Sequence, residues 1–299
     1  MTERLRRGPV VVGIDGSRSA YAAARVGARA AEARGASLRL VMALPATAGR
    51  ELRTPEGLDG PAVLRVAGEL VLDALEAEIA RDVPGLHVVS DLVEGAAVEV
   101  LVAEGAAAQL LCVGTTSGGT LDDVLLGSTA GALARHASCP VLVIPLRATV
   151  SVADPSGVVV GLAGDAGDED LLAFALGSAA DRGSAVTAVH TWRHAAPGVL
   201  HAAFESLADE TTAQHHAEAV LADVIDRAGA LPVPVHPVVR RGGAAETLLA
   251  AAFTAELLVV GHRHDRGGHL RSVTTAVLHG AACPVAVVPL GLHVGAAAG

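Results

Sequence analysis

Two stretches of this chain, one in each half, follow a single template. Leu110-Leu111-Cys112-Val113-Gly114 leads to Ala137-Ser138-Cys139-Pro140-Val141-Leu142-Val143-Ile144-Pro145. Leu257-Leu258-Val259-Val260-Gly261 leads to Ala281-Ala282-Cys283-Pro284-Val285-Ala286-Val287-Val288-Pro289. The starts of the halves also match: Val10-Val11-Val12-Gly13-Ile14-Asp15-Gly16-Ser17 answers to Val158-Val159-Val160-Gly161-Leu162-Ala163-Gly164-Asp165. The offset between copies is 148 at Gly13 and Gly161, 147 at Gly114 and Gly261, and 144 at Cys139 and Cys283. A nearly constant offset over a whole half means a duplicated domain, not a solenoid of short repeats. Each half lies near the commonest domain size, roughly 100–150 residues, enough for a core of its own. The two domains are expected at 1–148 and 156–292, joined by the polar stretch Arg147–Ser156.

Composition narrows the function classes. The net charge is −10, which argues against nucleic acid, whose backbone calls for a basic surface. An aromatic content of 2% leaves little on which bases could stack. All 22 basic residues are Arg; the chain has no Lys and no Asn. A Walker A lysine, a Schiff-base lysine and an N-glycosylation acceptor are therefore excluded. Hydrophobic residues make up 51%, but their runs are strand-length and broken by Gly, Pro and charge. None approaches the ~20 apolar residues of a membrane span. The basic N-terminal residues run straight into a strand pattern, which argues against a signal peptide. A cytoplasmic location and no membrane partner are expected. Three cysteines do not make a disulfide framework, so Cys112, Cys139 and Cys283 read as reduced core residues.

Short β-branched runs alternate with longer Ala/Leu/Glu segments. In the first half, strands are predicted at Pro9–Ile14, Ser37–Ala43, His87–Val93, Leu110–Val113 and Val141–Ile144. Helices are predicted at Ser19–Arg34, Ala62–Arg81, Ala97–Ala107 and Ser128–His136. The second half repeats the order, with strands at Gly157–Leu162, Ala185–His190, Pro234–Val239, Leu257–Val260 and Val285–Val288. Its helices are predicted at Glu169–Asp181, His201–Ala228, Ala244–Thr254 and Val273–His279. Apolar strands alternating with helices indicate two tandem doubly wound α/β domains, each with a five-stranded parallel sheet. Ligands of such sheets sit beyond the carboxyl ends of the strands, at the topological switch point. Asp15, Gly114 and the loop after Gly114 should meet there.

That loop runs Gly114-Thr115-Thr116-Ser117-Gly118-Gly119-Thr120-Leu121-Asp122-Asp123-Val124-Leu125-Leu126-Gly127-Ser128-Thr129. Its glycines let backbone N–H groups approach an anion without a Cβ in the way. Ser128 reads as a helix N-cap, and a helix N-terminus offers unsatisfied N–H groups and partial positive charge. A polyphosphate fits between the two glycine sites without any lysine. A plain strand-to-helix turn with ordinary caps explains the loop equally well, and Asp15 alone reads equally as a helix cap.

The pattern G-x2-G-x9-G-[S/T] after a strand, closing on a CPV-type last strand, resembles the universal stress protein family in its tandem two-domain form. Gly114, Gly127 and Ser128 take their places with the nine-residue spacer. Ser117 stands where the family has its second glycine, with Gly118-Gly119 directly after. ATP-binding members carry an aspartate at the end of the first strand, here Asp15, and an apolar residue of the second strand against adenine, here Val41. The resemblance therefore implies the adenine nucleotide alpha hydrolase-like fold. It also implies ATP, with or without Mg²⁺, held by Asp15, Val41, Gly114, Ser117, Gly118, Gly127, Ser128 and Thr129. Family members pair their last strands, so the halves are expected to pair through Val141–Ile144 and Val285–Val288. That makes the chain an intramolecular pseudo-dimer, with a homodimer as the further possibility.

In the second half Ala163 replaces Asp15, and the same spacing puts His264, Thr274 and Thr275 at the second glycine, third glycine and serine. This half is expected to be empty of nucleotide. Its loop is basic, with Arg263, Arg266 and Arg271 interleaved with His262, His264 and His269. It reads either as a solvated loop or as an anion site that gains charge below about pH 6.5. No acid or cysteine set accompanies these histidines to suggest a metal. His215 and His216 read as a solvent-facing helical pair. Three functions follow: a nucleotide-responsive stress or dormancy protein with unidentified protein partners, a slow ATP hydrolase at most, or an interaction scaffold without nucleotide. No catalytic residue is assigned.

Overall fold

The computed structural model describes residues 8–45, 60–115, 127–145, 156–193, 206–263 and 272–291. Ser117 and Gly118, and residues 264–271 of the basic loop, lie outside them. The described chain divides into two compact units, one per half. The first contains strands β1 (Val10–Ile14), β2 (Leu38–Leu44), β3 (Val88–Glu94), β4 (Leu110–Gly114) and β5 (Val141–Ile144). Its helices are α1 (Arg18–Ala33), α2 (Gly60–Asp82), α3 (Ala97–Gly105) and α4 (Ser128–His136). The second contains β6 (Val158–Leu162), β7 (Val186–Trp192), β8 (Val235–Arg241), β9 (Leu257–Arg263) and β10 (Val285–Leu290). Its helices are α5 (Asp168–Ala180), α6 (Ser206–Arg227), α7 (Ala244–Ala251) and α8 (Ser272–Gly280).

Within the first unit the strand order is β3-β2-β1-β4-β5, and within the second it is β8-β7-β6-β9-β10. Every pairing inside each unit is parallel. The registers coincide: Gly13 pairs with Val41 in one unit and Gly161 with Val189 in the other. The central strands are apolar on both faces because helices cover both sides: Val10, Val11 and Val12 are fully buried, as are Val158, Val159 and Val160. Pro237 lies on β8, an edge strand of its unit, where a missing N–H interrupts no second ladder.

Small residues bring α1 close to its sheet. Its buried face is Ser19, Ala20, Ala23, Ala24, Gly27, Ala28 and Ala31, and a Cβ on Gly27 would lie 2.6 Å from Val12 Cγ2. The second half solves the same packing with larger groups on α5, including Leu171, Leu172 and Phe174. All three cysteines are buried and free of disulfides. Burial pushes the Cys139 thiol up to about 12 and the Cys283 thiol to about 11.

The predicted elements are recovered with boundary shifts. The helix expected at His201–Ala228 is described from Ser206 to Arg227, and those at Ala97–Ala107 and Ala244–Thr254 end sooner, at Gly105 and Ala251. The strand expected at Leu257–Val260 is longer. It continues through Gly261, His262 and Arg263 because Pro289 and Leu290 keep pairing with it. His215 and His216 are exposed on α6.

Candidate functional site

In the first half β1 lies between β2 and β4, so the crossover direction reverses there and leaves a crevice at the carboxyl ends of β1 and β4. Asp15, Val41, Gly114 and Thr129 line one cleft at this point, with Ser17, Ala43, Ala97 and Leu101. Ala43 follows Val41 by two residues and so shares its face of β2. Ala97 and Leu101, which the sequence reading missed, come from the first turns of α3 and share one helix face at a spacing of four.

Gly16, at a φ of +78°, turns the chain out of β1 into α1. Ser17 is the N-cap of α1, and its Oγ accepts from the Ala20 N–H at 3.2 Å. The exposed Asp15 carboxylate accepts the Ser17 N–H at 2.9 Å. It sits at the rim of the cleft while also capping the turn. Gly114 has a packing reason of its own: a Cβ there would lie 2.4 Å from the Ser19 carbonyl carbon. No Cβ-bearing residue fits unless α1 moves.

Ser128 is not the cap of α4. Gly127 holds that position, with extended backbone (φ −57°, ψ 144°) and its carbonyl accepting from Gly131 N–H at 3.1 Å. Ser128 is the first helical residue, and it is exposed. The opening N–H groups of α4 have no intrahelical acceptor and, among the described residues, no side-chain cap. The cleft thus combines an apolar floor and wall, a carboxylate at the rim, and the positive end of a helix dipole beside Thr129.

The second half holds the same cleft. Every residue lining the first has its repeat counterpart lining the second: Val189 for Val41, Ala244 for Ala97, Leu248 for Leu101, Gly261 for Gly114. Register corrects the expected loop alignment here. Helix α8 runs Ser272–Gly280 and α4 runs Ser128–His136, a constant offset of 144 through the helix, so Ser272 is the counterpart of Ser128. The second loop is three residues shorter, and Thr274 and Thr275 lie inside α8 instead of opening it. Thr274 is buried, and its hydroxyl donates to the Gly261 carbonyl at 3.2 Å.

The described part of the basic loop is neither a loop nor free positive charge. His262 is 1% exposed on β9. The Arg263 guanidinium donates to the Asp165 carboxylate. Sequence reasoning also missed Asp168, which is 1% exposed and lines the second cleft. Its carboxylate accepts N–H bonds from Ala163 (3.1 Å), Gly164 (2.6 Å) and Asp165 (3.2 Å). The counterpart of Asp168 is Ala20, which offers no acceptor.

A universal stress protein family model matches residues 7–145 and again residues 157–289. The chain belongs to the universal stress protein family. Universal stress protein Rv2623 of Mycobacterium tuberculosis is 34% identical over 274 residues, covering 87% of this chain and 88% of that one. Universal stress protein Rv2005c of the same organism is 33% identical over 305 residues, covering 96% of this chain and 99% of that one. Among solved structures, a universal stress protein from Archaeoglobus fulgidus superposes with a TM-score of 0.63 at 16% identity, covering 96% of this chain and 98% of that one. That last likeness concerns the fold. Two family matches, one per unit, agree with the duplication read from the repeated Gly13, Gly114 and Cys139 frames. No helix among the described residues of this universal stress protein is long and apolar enough to cross a membrane.

Proposed function

We propose that the first half of this stress protein binds an adenine nucleotide, ATP with or without Mg²⁺. The nucleotide then alters the conformation or the protein partners of the chain. The convergence of Asp15, Val41, Gly114 and Thr129 on one switch-point cleft carries this reading. In it, Val41 and Ala43 take the flat face of the base, and the Asp15 carboxylate accepts from ribose hydroxyls. The opening N–H groups of α4, at Ser128 and Thr129, face phosphate oxygens behind the Gly127 cap. Ser117 and Gly118 would complete the phosphate loop. The role is regulatory: no general base is assigned to the cleft, and turnover beyond slow hydrolysis is not part of the proposal.

A scaffold without nucleotide is the second reading, and two observations favour it. Asp15 already caps the turn through the Ser17 N–H, and Gly114 is required by α1 packing whether or not a ligand binds. Calorimetric titration with ATP–Mg²⁺ separates the two. The nucleotide reading expects one site per chain, lost in Gly127→Asp and weakened about 10-fold or more in Asp15→Ala, since a charged hydrogen bond contributes about 1.5–3 kcal/mol. Absence of heat at millimolar ATP, with the protein folded, hands the function to the scaffold.

A further inference from the structure

The second cleft copies the apolar body of the first, position for position, yet its polar mouth is rebuilt. Val189, Ala244 and Leu248 repeat Val41, Ala97 and Leu101 as floor and wall. The backbone N–H groups of Ala163, Gly164 and Asp165, at the carboxyl end of β6, are taken by the buried Asp168 carboxylate. Asp165, where the first half has Ser17, adds a second carboxylate. Among the described residues, the guanidinium lining this cleft is that of Arg263, and it is engaged by that same Asp165. A phosphate entering beside β6 meets the Asp168 and Asp165 carboxylates and finds the Ala163, Gly164 and Asp165 N–H groups already bonded to Asp168. Like charges a few ångströms apart at low dielectric repel strongly, and losing the N–H partners of Asp168 would leave a buried charge unsatisfied.

We infer that the second cleft is a site for an uncharged purine nucleoside, and that Asp165 and Asp168 are its specificity-determining residues against phosphorylated ligands. The flat apolar body is accepted in both halves; the charged tail is accepted in one. Thr191, which replaces Ala43, supplies a hydroxyl on the same face of β7 as Val189. Electrostatic exclusion of a competitor by an internal carboxylate is a common route to selectivity between ligands that share a body. The choice of a purine rests on the nucleotide reading of the first cleft, since the likeness of the two clefts transfers it; the exclusion of anions rests on Asp165 and Asp168 alone.

The test is methyl NMR on full-length protein labelled at Val and Leu, titrated separately with adenosine and ATP. Adenosine is expected to shift Val189 and Leu248, and ATP at equal concentration to leave them in place. Val41 and Leu101 report on the first cleft in the same spectra, so a failure of the nucleotide reading is visible apart from a failure of this one. Ala244→Trp, at a half-buried position, should abolish the adenosine response at Val189 while sparing Val41. The double variant Asp165→Ser, Asp168→Ala should shift the preference of the second cleft at least tenfold toward ATP. Unmoved Val189 and Leu248 with adenosine overturn the proposal. So do equal shifts with ATP and adenosine in the wild-type chain.

Discussion

At the residue scale, identical residue types at repeat-related positions carry different constraints. Gly114 and Gly261 close the same strand template, but a Cβ meets backbone in one case and a leucine tip in the other. At Gly114 it would lie 2.4 Å from the Ser19 carbonyl carbon; at Gly261, 2.5 Å from Leu290 Cδ1. Backbone cannot step aside without moving α1, whereas a leucine terminus turns about χ2. Gly114→Ala should therefore lower stability by about 1–3 kcal/mol, and Gly261→Ala by clearly less, read from urea denaturation midpoints. Equal midpoints for the two variants would refute this ordering. Asp15 and Asp168 show the converse: two carboxylates at equivalent strand-to-helix turns of the two units but at different positions, one exposed at a rim, one buried and committed to three N–H groups. Asp15 was legible from its place at a strand end. Asp168 was not, because its role depends on the fold of the turn above it and on nothing in its own neighbourhood pattern.

Elements are held together by contacts that no local pattern announces. Arg39 on β2 makes a bidentate pair with Glu104 of α3, at 2.8 and 2.9 Å, and also reaches Asp91 on β3. These hydrogen bonds and charges raise the Arg39 pKa, so the guanidinium stays charged at any ordinary pH. Partial exposure screens the clamp, so Arg39→Met should cost about 1 kcal/mol, and added salt should narrow its difference from wild type. A midpoint unchanged at low salt would show that the clamp is ornamental. The buried thiols give a pH-dependent prediction. Cys139 and Cys283 titrate near 12 and 11 when folded, above an unfolded value of about 8.5. The unfolded chain therefore gives up these protons first. Their contribution to stability is complete below pH 8 and falls as pH rises from about 9 toward 12. Iodoacetamide at pH 8 should leave the native chain unmodified and label three thiols after denaturation; rapid labelling of native protein would contradict the burial.

For the whole molecule, duplication with divergence explains why one frame supports two clefts of unlike chemistry. Each unit keeps its parallel sheet and apolar floor, because these build the core. The mouths are free to differ, because strand-end loops contribute little to packing. Self-association is a separate expectation. Sedimentation or light scattering should give a mass of about twice 29.9 kDa, and a clean value of 29.9 kDa would remove the homodimer.

Periodicity, the repeated offset and sheet topology determined the fold class, the two-domain layout, nearly every element and the meeting of Asp15 and Gly114 at one crevice; Val41 was added by the resemblance to the family. The elements follow from strand and helix periods, which are local, and their arrangement from general rules of parallel-sheet topology. Tertiary structure alone decided what fills each mouth. The Arg263–Asp165 pair spans 98 residues of chain, and the extension of β9 that buries His262 depends on pairing with Pro289 and Leu290. The offset of 144 through α8, which returns Ser272 to the place of Ser128, came from where a helix actually begins. Such facts follow from which side chains and backbone groups meet once the sheet has closed, and a pattern read along the chain carries no term for that meeting.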